Sequence, residues 1–80
     1  MRNKYFYLKE TLATERRTEE RKKLISEIYD VETEILKTAY IKAVKQNYSQ
    51  SFLNKLANEI NNEDRDPEII KEAIEIYRLY

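Results

Sequence analysis

The sequence predicts an all-α protein, and three observations carry that prediction. Leu24, Ile28, Val31, Ile35, Ala39 and Ala43 recur every three or four positions, the period of one helical face. Glycine is absent and the single proline is Pro67, so no strong breaker interrupts residues 1–66. The two places where the chain should turn, Asn47-Tyr48-Ser49 and Asp66-Pro67, carry helix-capping residues. The expected architecture is a long helix followed by a helical hairpin and a C-terminal helix. This makes a three- or four-helix bundle in a single helical domain over residues 1–80.

Taken in order, residues 1–13 contain Tyr5-Phe6-Tyr7-Leu8 and then Leu12, a pattern that fits either a short helix or an extended aromatic arm. Thr14 to Lys23 has no apolar residue, so this run either continues the next helix in water or forms a frayed joint. The long helix is expected over 18–46, a rod of roughly 42 Å, with Ile25, Leu36, Tyr40 and Val44 widening its apolar stripe. Asparagine tolerates the left-handed conformation that ends a helix, and serine caps the next one. A helix over 49–61 follows, with Phe52, Leu53, Leu56, Ala57 and Ile60 on one face. After a polar connector, Asp66 as N-cap and Pro67 at the first helical position open the last helix, 67–79. It carries Ile69, Ile70, Ala73, Ile74, Ile76 and Tyr77. Each of the last two helices is near 18 Å, too short to cover the rod alone. Either the last helix folds back beside the basic 16–23 stretch or a second subunit supplies the cover.

Composition narrows the function. With no cysteine and no histidine, disulfides and the commonest zinc and haem ligands are missing, and no cofactor or metal is expected. Without glycine there is no phosphate-cradling loop. Catalysis lacks the usual nucleophile–base pairs, so the chain reads as a non-enzyme. The stripes Glu27/Asp30/Glu34 and Glu68/Glu72/Glu75 lack the histidine of bundle di-metal sites and read as solvated faces. No apolar stretch is long enough for a membrane span or a signal peptide, which predicts a cytoplasmic protein.

Net charge is zero but comes in blocks. Residues 24–36 hold four acids and no base, and residues 37–55 hold four lysines and no acid. Such alternation favours self-complementary packing over a single-sign field for nucleic acid. Arg16, Arg17, Arg21, Lys22 and Lys23 form the densest basic cluster and the one candidate for phosphate contact. Glu15, Glu19 and Glu20 are interleaved with it, and Glu19–Lys23 has ion-pair spacing, which argues for a structural role.

Seven tyrosines exceed what so small a core needs. Tyr40 and Tyr77 lie on apolar faces and are expected in the core with the hydroxyl at its rim. Tyr5, Tyr7 and Tyr80 lie near the chain ends, where burial is harder, and aromatics are enriched at interface hot spots. The candidate partner-binding residues are therefore Tyr5, Phe6, Tyr7, Arg16, Arg17, Arg21, Tyr40, Phe52 and Tyr80. The expected partner is a larger protein, a second copy, or both.

The run Tyr40-Ile41-Lys42-Ala43, then Asn47, Phe52 and Asn58-Glu59-Ile60, resembles the core of the Sda family over residues 40–60. Members are small bacterial helical hairpins that block sporulation histidine kinases by docking on the dimerisation stalk. The resemblance implies a docking face with Tyr40, Ala43, Phe52 and Leu56; the N-terminal half and the final helix have no counterpart in that pattern. Tyr48 to Phe52 is similar to the turn into a recognition helix of AraC-type regulators, although the helix that follows has one lysine and no arginine. The stretch from Leu8 through Glu15-Arg16-Arg17 to Tyr29 is similar to helical N-termini of archaeal GINS replication subunits. The leading expectation is thus a non-catalytic regulator or inhibitor that docks a helical face on a larger protein. The alternative is an accessory subunit of a machine such as that of replication or transcription.

Overall fold

The computed structural model describes residues 4–79, among which there are four helices and no strand. They are α1 (Lys4–Thr14), α2 (Thr18–Lys45), α3 (Gln50–Ile60) and α4 (Pro67–Leu79), an all-α fold. The chain divides into two compact units, Met1–Glu32 and Thr33–Tyr80, so residues 18–32 of α2 belong to the first and 33–45 to the second.

In the first unit the aromatic N-terminus is helical. Tyr5 and Leu8 of α1 and Ile28 of α2 are buried. The highly charged stretch after Thr14 becomes a short joint and the opening turns of α2. Arg21 donates from one guanidinium nitrogen to Leu12 O (3.0 Å), which also accepts from Glu15 N (3.3 Å), and to Glu15 O (2.9 Å) just past the end of α1. The Tyr5 hydroxyl, one helix length away, donates to Glu32 Oε2 at 3.0 Å. With α1's last turn at Arg21 and its first at Glu32, the two segments run antiparallel as a helical hairpin.

The second unit is built on three apolar faces. Ile35, Leu36, Ala39 and Ala43 come from α2, Leu53 and Leu56 from α3, and Ile70, Ala73, Ile74 and Ile76 from α4. The small side chains of Ala39, Ala43 and Ala73 leave room for close backbone approach, around the fully buried Leu36 and Leu56. The turn between α2 and α3 follows from capping chemistry. Asn47 adopts φ 60°, and the amides of Asn47 and Tyr48 donate to Val44 O (3.2 Å) and Ala43 O (3.1 Å), a Schellman closure with asparagine in the left-handed position. Ser49 Oγ then accepts from Phe52 N at 3.3 Å and starts α3. At α4 the Asp66 carboxylate accepts from Glu68 N at 2.9 Å, next to Pro67 at the first helical position.

The connector between α3 and α4 is anchored from within. Glu59 is only 4% exposed, and its carboxylate accepts from Asn62 Nδ2 (3.0 Å) and from the backbone amide of Asp66 (2.6 Å). Arg65 donates to Glu59 O (3.0 Å), Ile60 O (2.8 Å) and Thr33 Oγ1 (2.7 Å). A buried carboxylate is tolerated because each oxygen has a donor, and the end of α3 is closed by a side chain from the loop it feeds.

Candidate interaction surfaces

The α1 helix is apolar on more than one side. Tyr5 and Leu8 point into the first unit, while the next two aromatics, Phe6 and Tyr7, stay 43% and 56% exposed. Phe6 rests edge-on against the Tyr5 ring at 5.6 Å, so one flank of Phe6 is supported and the other faces water. Tyr5 corrects the expectation of a surface contact residue: it is 6% exposed, because helical spacing places it with Leu8 on the inward face. Burial, the nearby Glu32 charge and the hydrogen bond to that carboxylate all push its phenol well above the ordinary value.

The basic cluster is largely committed to the α1–α2 joint. Glu15 Oε1 accepts from the amides of Arg16 and Arg17, both at 3.0 Å, and from Arg17 Nε at 3.1 Å; Oε2 accepts from the other end of that guanidinium at 3.3 Å. The side-chain bonds from Arg17 do most, with its amide adding to them, to lower the Glu15 carboxyl from 4.5 to about 2. The same pairing raises the Arg17 guanidinium. Arg21 is spent on the Leu12 and Glu15 carbonyls, and Lys23 pairs with Glu20 at 3.8 Å, one residue nearer than the Glu19 pairing that spacing suggests. Arg17 and Arg21 therefore hold a joint together, while Arg16 and Lys22 are exposed beside it.

In the second unit α2 again shows two apolar sides. Opposite its buried Leu36, Ala39 and Ala43 lie Ile41 and Val44, 56% and 47% exposed, with the exposed lysines Lys37 and Lys45 on the same side. Tyr40 is half-buried at the edge of this stripe, and Phe52 is half-buried with its ring 5.4 Å from that of Tyr48. Of the hairpin residues singled out by the likeness over 40–60, Ala43 and Leu56 are fully buried, so only Tyr40 and Phe52 present any surface. Val44 and Ile25, expected to widen the core stripe, are exposed. Tyr77, expected in the core, is exposed as well: the inward face of α4 is taken by Ile70, Ala73, Ile74 and Ile76. Its ring lies under the Lys42 ammonium at 5.2 Å, and Lys42 also donates to Tyr77 O at 2.9 Å, placing a cation at the negative end of α4. Tyr80 lies outside the described residues.

Sequence reasoning passed over Glu59 and Arg65, which hold the α3–α4 connector. A signal for Glu59 was present: it sits three residues after Leu56 and seven after Phe52, on the apolar face of α3. Nothing in the sequence marks Arg65, whose partners are backbone carbonyls and Thr33. Among the described residues no group of three or more acidic side chains is placed to hold a metal ion, and no helix is long and apolar enough to cross a membrane. No protein-family model matches the chain, and comparison with curated proteins and with solved structures gave no match.

Proposed function

We propose that this chain is a small non-catalytic protein–protein interaction module, a regulator or inhibitor that docks a helical face on a larger protein. The observation that carries this reading is the outward pair Phe6 and Tyr7 on α1, a helix whose inward side is already filled by Tyr5 and Leu8. Rigid aromatics held on a helix give large contact area at little entropic cost and are enriched among hot spots. The basic residues nearby serve the joint, which weighs against phosphate contact as the main role. A histidine-kinase stalk is the narrower target that the likeness over 40–60 suggests, with Tyr40 and Phe52 at the contact. The test compares wild type with Phe6→Ala/Tyr7→Ala as bait in native lysate. One stoichiometric protein held by wild type and lost by the variant, with unchanged helical content, is the expected result; equal retention, or no captured protein, would refute the proposal.

A second reading, an accessory subunit of a multiprotein complex such as the replication or transcription machinery, is favoured by apolar residues exposed on both units: Phe6 and Ile25 on one, Ile41 and Val44 on the other. A chain made for several neighbours melts at low temperature or aggregates when alone. A cooperative melt at high temperature would sink it.

A further inference from the structure

We draw no further inference here: the strongest candidate, the exposed α2 face of Ile41 and Val44 in the second unit, lies among exposed side chains of both signs, Glu34, Lys37 and Lys45, and nothing in the structure shows what covers it.

Discussion

Glu59 shows how much one side chain can organise. Its carboxylate caps the path from α3 to α4 through Asn62 and the Asp66 amide, and its own backbone oxygen takes the Arg65 guanidinium. Glu59→Ala removes both accepted bonds from a buried place and should cost about 2 kcal/mol in urea unfolding, with Glu59→Gln costing less. Equal stability of the alanine variant and wild type would show the anchor to be idle. Glu15 gives a pH-dependent counterpart. Its folded value, about 2, lies below the ordinary 4.5, so its contribution to stability is present above pH 4.5 and is lost as pH falls from there towards 2. The gap in unfolding midpoint between wild type and Glu15→Gln should therefore close across that range. A gap that stays constant with pH would show that the carboxylate is not held by Arg17 in solution. At this scale the sequence was half legible: the Phe6 and Tyr7 candidates lie at the surface, while Tyr5 was misjudged because three consecutive aromatics cannot share one helical face.

Elements begin and end here by local chemistry, which is why their limits could be read from the chain. The left-handed Asn47 and the Ser49 cap turn α2 into α3 within four residues, and Asp66-Pro67 starts α4. Asn47→Val, a β-branched residue at φ 60°, should destabilise the protein by about 1–2 kcal/mol, whereas Asn47→Gly should hold or gain. Ser49→Ala should cost about 1 kcal/mol. Thermal melts of the three variants decide this, and a harmless Asn47→Val would mean that the turn has another conformation. Caps are recognised by residues adjacent in sequence, so they are legible. Which apolar residues of a helix face inward is not, because that choice belongs to the neighbouring elements. Val44 and Tyr77 illustrate the point, fitting the helical period yet remaining exposed.

At the scale of the molecule the margin is thin. A chain of 80 residues has a stability on the order of 4–12 kcal/mol. Leu36→Ala or Leu56→Ala empties a fully buried site and should cost about 2–5 kcal/mol, a large part of that total. Denaturant titration should place both variants far below wild type; losses under about 1 kcal/mol would mean that the interior collapses around the gap. Substituting the exposed Ile41 should, by contrast, change stability little.

The sequence alone determined the all-α class, the positions of the caps and the turn residues, since these depend on period and on neighbours one to four residues away. It also determined that charge falls in alternating basic and acidic blocks. Only the tertiary structure decided that Tyr5 and Glu59 are buried, that Arg17 and Arg21 fasten a joint, and that Ile41, Val44 and Leu79 stay in water. Those outcomes turn on which groups meet across long stretches of the chain, as Arg65 meets Thr33 across 32 positions and Lys42 meets Tyr77 across 35, and no local pattern encodes such meetings.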